Sequence, residues 1–446
     1  MARRIVLLIG SVALVLSLFV VVLRPSAPRA QGAQGTDVYL NVTAGGGKKL
    51  NIAIPDFTVV AGTDSAGNAR LLSSVAGADL MFSGVFNVVA ATGAIPPNNP
   101  ALLKQSWTEF AAAGAHAGVH GLLTVRGDRL ETEVRIYDLT SPEFRLIATR
   151  KFELPATVPR RLAHKIADEI MLQFTGEPGV ADTKLAYVRG PRGAKEIYVA
   201  DYDGAGAVAV THNGTINLSP VWSPDARSLA VTSYMKGYPD LYRLFPFERR
   251  PEQMLAAFAG INSSPAWSPD GKSLAVTLSK DGNPELYVLN IATGVFRRLT
   301  RHGGIDTDPS WSPDGRQIAF VSDRNGTAHI FVMDAEGANV RQLTSGAMQT
   351  QPRWSPKGDI IAFTTRQGNH DVWAVNADGS GARRLTTGPG NNQGPSWAPN
   401  GRHLFFQTDR LGGWQIFAMF ADGGEQVPIT KGAGEFTSPS WSSRLP

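Results

Sequence analysis

The chain has 446 residues, more than one ordinary domain, with 43% hydrophobic and 18% charged residues. This balance excludes a disordered tail and a multi-span membrane protein, and the absence of cysteine excludes a disulfide framework, a Cys-built zinc site and a thiol nucleophile. Most of the net charge of +5 comes from Arg3, Arg4, Arg24 and Arg29; without them it is +1, too little to argue for a nucleic-acid partner.

In chain order, Arg3 and Arg4 precede an unbroken apolar run of 19 residues at 5–23, followed by small residues up to Ala30. Residues 1–30 read as a cleaved signal peptide, and the run is also long enough to serve as an uncleaved anchor. Either outcome exports the remainder of the chain. Residues 31–36 read as a flexible leader.

Residues 37–180 read as a small α/β domain. Strands are expected at 37–42 and 49–56, a helix over 69–86 packing Leu71, Leu72, Val75, Leu80, Met81 and Val85, and a strand from Phe86. A second helix is expected over 106–113, capped by Ser106. Strands at 120–126, 131–138 and 144–152 follow, the first two meeting in a hairpin at Gly127-Asp128. The last helix, 158–174, places Leu162, Ile166, Ile170 and Phe174 on one face. Trp107 stands alone in this domain, its role open.

Residues 181–446 carry an internal repeat. Trp222-Ser-Pro-Asp, Trp267-Ser-Pro-Asp-Gly, Trp311-Ser-Pro-Asp-Gly, Trp354-Ser-Pro-Lys-Gly, Trp397-Ala-Pro-Asn-Gly and Trp441-Ser-Ser recur at spacings of 45, 44, 43, 43 and 44. Each of the first five is followed by a short apolar strand, a polar turn, a third strand and a fourth. Four strands per such period predict a six-bladed β-propeller. The first blade lacks an inner strand and the C-terminus supplies one, so residues 438–441 are expected to close the ring, removing open edges. One Trp per blade is what packing between blades requires. A stacking surface for sugars or bases is the competing reading. Ala226 replaces the turn glycine in the first copy, and a different turn is expected there because Ala resists positive φ.

Catalytic signatures are missing. There is no Gly-x-Ser-x-Gly elbow and no Walker loop. His116 and His120 lack the Glu of a zinc-helix motif, and the Asp-rich turns lack the rest of a calcium loop. No catalytic residue, metal or cofactor is assigned. One constellation remains. Pro220, Pro265, Pro309, Pro352, Pro395 and Pro439 are expected to start the inner strands. Three residues before them stand Asn217, Asn262, Asp306, Gln349, Asn392 and Phe436, a mostly polar ring around one mouth of the channel. With Ile261, Ser263, Ile305, Thr307 and Thr350, this ring reads as a docking surface. Ordinary solvated loops are the plain alternative.

The export segment, the small α/β domain and six Pro-x-Trp-Ser-Pro-Asp-Gly blades together resemble the TolB family, the periplasmic propeller proteins of the Tol–Pal envelope system. The resemblance covers the chain from residue 31 onward. It implies a mainly β protein without catalysis or cofactors, peripheral to membranes, monomeric, and acting in outer-membrane integrity and envelope constriction. It implies two partners: a Pal-like peptidoglycan-associated lipoprotein at the propeller mouth, near Ile261, Asn262, Ser263, Asp306 and Thr307, and a TolA-like inner-membrane protein at the N-terminal segment. By position that segment is Asp37, Val38, Tyr39, Leu40, Asn41, Val42 and Thr43, although the flanking glycines depart from the family pattern. Two other readings stay open. One is a propeller hydrolase or lyase acting on envelope glycans, with Asp306 and the channel amides holding substrate or a cation; the other is a solute-binding propeller unrelated to Tol.

Overall fold

The structure, a computed structural model, describes residues 49–446 apart from 92 and 192; the expected signal peptide, leader and first strand, with Asp37 to Thr43, lie outside the described residues. The N-terminal domain runs β1 (Leu50–Ala53), β2 (Thr58–Ala61), α1 (Asn68–Phe82), β3 (Phe86–Val89), α2 (Pro100–Ala112), β4 (Ala117–Arg126), β5 (Arg129–Asp138), β6 (Leu146–Pro155) and α3 (Pro159–Thr175). The sheet order is β3-β1-β4-β5-β6, with β2 also paired to β4. β1 lies parallel to β3 and β4, whereas β4, β5 and β6 form an antiparallel meander. Leu72, Val75 and Leu80 of α1 share a core with Leu162, Ile166, Ile170 and Phe174 of α3, as the helical spacing predicts.

Several local expectations are corrected. α1 stops at Phe82, and Gly84 turns the chain with φ 73°. Met81, in the last turn of this helix, is half exposed instead of in the core. α2 begins at Pro100 rather than near Ser106. Asn99 caps it by accepting from Leu102 N at 3.0 Å, and proline fits the first turn because no N–H is needed there. β2 was not anticipated. Trp107 is a core residue, packed against Phe110 and Tyr137.

Residues 184–441 form six four-stranded antiparallel sheets. Blade one joins Phe436–Trp441 to Lys184–Arg189, Glu196–Asp201 and Val208–Ala209; blades two to six begin at Asn217, Asn262, Asp306, Met348 and Asn392. The expected closure is present, with Phe436 opposite Arg189 and Trp441 opposite Leu185. Trp222, Trp267, Trp354, Trp397 and Trp441 are buried and Trp311 half-buried. They sit in clusters that combine neighbouring blades: Trp267, for example, packs with Ala230 and Leu241 of blade two. The tryptophans are therefore packing residues. Burial of ~200 Å² per ring corresponds to about 5 kcal/mol gross each.

The prolines do not start the inner strands. Each strand begins about three residues earlier, and the proline sits at a β-bulge where the register shifts, as between Leu218 and Val221. The preceding residues, Ser219, Ser264, Asp308, Gln351, Gly394 and Ser438, all have φ between 50° and 67°. Proline donates no ladder hydrogen bond, so it sits at the bulge of the innermost strand, which is an edge of each sheet.

The different turn expected at Ala226 is also corrected. Ala226 N donates to Ser223 O at 2.9 Å, as Gly271 N does to Ser268 O and Gly315 N to Ser312 O at the same distance. The Ser223 hydroxyl donates to Asp225 and accepts from Ser228 N, holding the common turn although Ala226 has φ 55°. The surrounding bonds override the residue's own preference.

A buried polar cluster joins the two domains. His164 of α3 lies with Nδ1 2.7 Å from Asp79 of α1 and Nε2 3.6 Å from Asp201 of blade one. Tyr202 donates to Asp79 at 2.8 Å, Lys184 pairs with Asp201, and Arg160 pairs with Asp203 and Asp201. Burial alone would lower the His164 pKa, but the Asp201 and Asp79 carboxylates outweigh it and push it up to about 10. The imidazole is thus a cation clamped between domains at neutral pH. The linker is tied down as well: Ala181 N and Asp182 N donate to the Asp168 carboxylate at 2.8 and 3.0 Å.

Two outcomes are expected. Ala226→Gly removes a left-handed alanine and raises unfolding free energy by about 0.5–1 kcal/mol, measured by denaturant titration; a loss of stability would contradict the strain. For His164, a pKa raised on folding means its stabilisation is complete below its ordinary pKa and fades as pH rises toward about 10. His164→Ala therefore costs about 3–5 kcal/mol at pH 6. The gap between wild type and variant narrows on going to pH 10, and a gap independent of pH would exclude the charged clamp.

Candidate functional site: the free mouth of the propeller

The two ends of the ring differ. The turns after each tryptophan, and those between third and fourth strands, form one end, and the N-terminal domain docks there. His403 Nε2 lies 3.1 Å from Phe82 O, Arg402 pairs with Glu177 at 2.8 Å, and Lys49 pairs with Glu425 at 3.2 Å. Among the described residues, every hydrogen bond and ion pair between the two domains falls at this end. The other end, where the inner strands begin, is the free mouth.

The polar ring expected there exists, but beneath the surface. Asn217, Asn262, Asp306 and Asn392 are fully inaccessible, and Gln349 and Phe436 are buried. Each polar side chain braces a neighbouring loop. Asn217 Nδ2 donates to Lys195 O at 2.8 Å, Asn262 Nδ2 to Phe258 O at 2.7 Å and Gln349 Nε2 to Ser345 O at 3.1 Å. Asp306 accepts twice from Arg324, at 2.8 and 3.0 Å, and Asn392 Oδ1 accepts from Arg410 at 2.6 Å. Burial raises the Asp306 pKa, opposed by Ser322 and Arg324. This corrects the placement of these five side chains at the contact surface. An amide or carboxylate can fill several backbone hydrogen bonds at a strand entry, which is why polarity here marks interior bracing.

The residues beside them differ. Ile261 and Ile305 are exposed, and Ser263, Thr307 and Thr350 are half-buried along the channel wall. Tyr238 at 73% and Leu411 at 67% exposure project from the loops between second and third strands, and Met348 is also exposed. The sequence reading missed Tyr238, Met348 and Leu411 because it followed the proline spacing; apolar residues at otherwise polar turn tips were the available signal. Inside the channel, Ser264 Oγ donates to Asp308 at 2.7 Å and Thr364 Oγ1 to Gln351 at 3.0 Å.

The structure does not assemble the other sequence candidates into chemistry. His116 Nδ1 accepts from Asn51 N and His120 Nε2 lies 3.0 Å from Ile95 O. Four residues of extended chain hold them ~13 Å apart. Among the described residues, His164, Asp201 and Asp203 form the one group with metal-like spacing, and it lies within the domain junction. Its carboxylates are already paired with Arg160 and Lys184. A concavity of about 920 Å³ lies beside the junction and is lined by Val158, Val208 and Phe247 with Arg160 and Arg227. No helix of the described residues is long and apolar enough to cross a membrane.

Comparison with known proteins agrees with this architecture. The family model described as "TolB amino-terminal domain" matches residues 38–143, and the one described as "TolB beta propeller domain" matches residues 172–445. A Tol-Pal system protein TolB from Geobacter sulfurreducens is 39% identical over 217 residues, 49% of either chain. One from Desulfosudis oleivorans is 35% identical over 205 residues, 44% of this chain and 45% of its own length. The alignments thus span about half the length of these curated relatives. The crystal structure of TolB from Acinetobacter baumannii has a TM-score of 0.75 at 27% identity, covering 89% of this chain and 97% of that chain.

Proposed function

The chain belongs to the TolB family and is a Tol–Pal system component, and from that premise we propose that it acts in the periplasm, without catalysis, as a docking protein. Its propeller mouth holds a Pal-like peptidoglycan-associated lipoprotein, and its N-terminal segment, Asp37 to Thr43, engages a TolA-like inner-membrane protein. The observation that carries this reading is the asymmetry of the ring. One end is occupied by the N-terminal domain, and the free end displays Tyr238, Ile261, Ile305, Met348 and Leu411 above a buried, fully braced polar ring. A rigid rim of exposed apolar side chains suits recognition of a preformed protein surface.

The N-terminal segment alternates apolar and polar residues, the pattern for adding a strand to another protein's sheet edge. A protein that grips both partners couples the inner membrane to the outer layer and so supports outer-membrane integrity and envelope constriction. It is peripheral to both membranes and works as a monomer.

Calorimetry tests the reading. Tyr238→Ala combined with Ile261→Asp is expected to weaken binding of the soluble Pal-like domain by about ten-fold or more with an unchanged unfolding midpoint. Deleting residues 31–43 is expected to abolish binding of the TolA-like protein. Unchanged affinities in both variants would refute the two contact assignments, and turnover of envelope glycans by the purified protein would refute the non-catalytic role.

A further inference from the structure

Because one blade recurs six times, sister blades report what each position is built to hold. In blade four, Arg324 returns over the mouth. Its Nη2 donates to Asp306 at 2.8 and 3.0 Å and its Nε to Ser322 Oγ at 2.8 Å, while the guanidinium lies 5.5 Å from the Phe320 ring and 5.1 Å from the Phe331 ring. Blade six repeats the arrangement. Arg410 donates to Asn392 at 2.6 Å and to Thr408 at 3.1 Å, 5.5 and 5.1 Å from Phe406 and Phe417. Strand pairing fixes the equivalent positions in blade two: Asn217 opposite Ser233, and Val231 opposite Tyr242.

There the arginine position is Met235. The loop backbone is the same, since Met235 N donates to Ser233 Oγ at 3.3 Å just as Arg324 N does to Ser322 and Arg410 N to Thr408. Only the cation is missing. A cavity of about 280 Å³ takes its place, lined by Asn217, Ser233, Met235 and Tyr242 with Thr211 and Glu252.

The cavity keeps part of the acceptor set of its sisters, with Asn217 Oδ1 already accepting from Ser233 Oγ at 2.7 Å and Asn213 Nδ2 at 3.1 Å. Tyr242 is 3% exposed, and its hydroxyl has no hydrogen-bond partner among the described residues. The corresponding hydroxyl of Tyr287 in blade three donates to Asp281 at 2.6 Å. Asn217 Nδ2 donates to Glu196 at 3.1 Å, as Asn392 Nδ2 does to Asp371 at 3.2 Å, so the carboxylate of the preceding blade is retained. Asp240, buried on the same strand face two residues before Tyr242, and Glu252 both hold the tyrosine hydroxyl in its neutral form, after burial itself. Lys236, in the same loop, is exposed, and its charge acts on Asp240. A buried unpaired hydroxyl costs about 1–3 kcal/mol, and nearby carboxylates favour a positive guest. A planar group with several N–H donors and an aromatic floor answers all of these at once.

We propose that this cavity receives an alkylguanidinium group, the side chain of an arginine presented by the protein that docks on the mouth. The source of the arginine rests on the docking reading above, whereas the chemistry of the cavity does not.

Two titrations of the full chain separate them. Nα-acetyl-arginine amide is expected to shift the Met235 and Val231 methyl resonances, and the neutral citrulline analogue is not. Met235→Arg refills the cavity from within, and should weaken the arginine probe about ten-fold or more while the unfolding midpoint holds or rises. Equal shifts by both probes, or none, or unweakened binding by the variant, would overturn the site. In the second titration, Met235→Arg should weaken the Pal-like domain about ten-fold. Unchanged affinity would overturn the partner's arginine while leaving the mouth reading intact, and no binding of that domain to the wild type would fail the mouth reading itself.

Discussion

A single blade is a sheet with two apolar faces, and neither can be left in water. Each face is covered only by the next blade, through one large aromatic ring and the small residues that receive it, as Trp267 is received by Ala230 and Leu241. An arc of five would expose two such faces, so the sixth blade and the pairing of residues 436–441 with 184–189 are required by burial as much as by hydrogen bonding. The flat mouth, the channel and the equivalence of positions between blades all follow from this need to cover every face.

Equivalence gives the ring its rigidity and also its individuality. Five of the six strand entries are braced by a buried amide or carboxylate that hydrogen-bonds a neighbouring loop, and the sixth carries Phe436. Where one member of the set changes, the surroundings stay as they were. Met235 in place of an arginine leaves the backbone turn intact and an acceptor-lined cavity behind it. The N-terminal domain adds a second asymmetry by occupying one end of the ring through a cluster organised around a charged His164.

The architecture was legible because its signals are covalent and local: Trp, then a turn of Ser, Pro, Asp and Gly, at a constant period. The ring closure was legible from a missing strand at one end and a spare one at the other. What sequence could not supply was register. Proline reads as a strand boundary, whereas here it marks a bulge inside the strand, and that displacement moves Asn217, Asn262, Asp306 and Asn392 from the rim into the interior. Polarity was mistaken for exposure for the same reason. The start of α2 was misplaced because the cap lies at Asn99, outside the apolar pattern that marked the helix. The junction cluster joins residues 79, 164 and 201, and only the folded chain brings them together.

Clasping the ring with its last strand fixes an order of events. Blade one stays three-stranded until residue 441 is available, and Leu185 and Tyr187 lack their inner neighbour until then. A chain that has not yet supplied this strand carries an uncovered edge and two uncovered faces, and covers them only when residues 436–441 pair. Closure of the ring is gated by residues 436–441, and a chain cut short of them is an adhesive fragment instead of a slightly shorter protein.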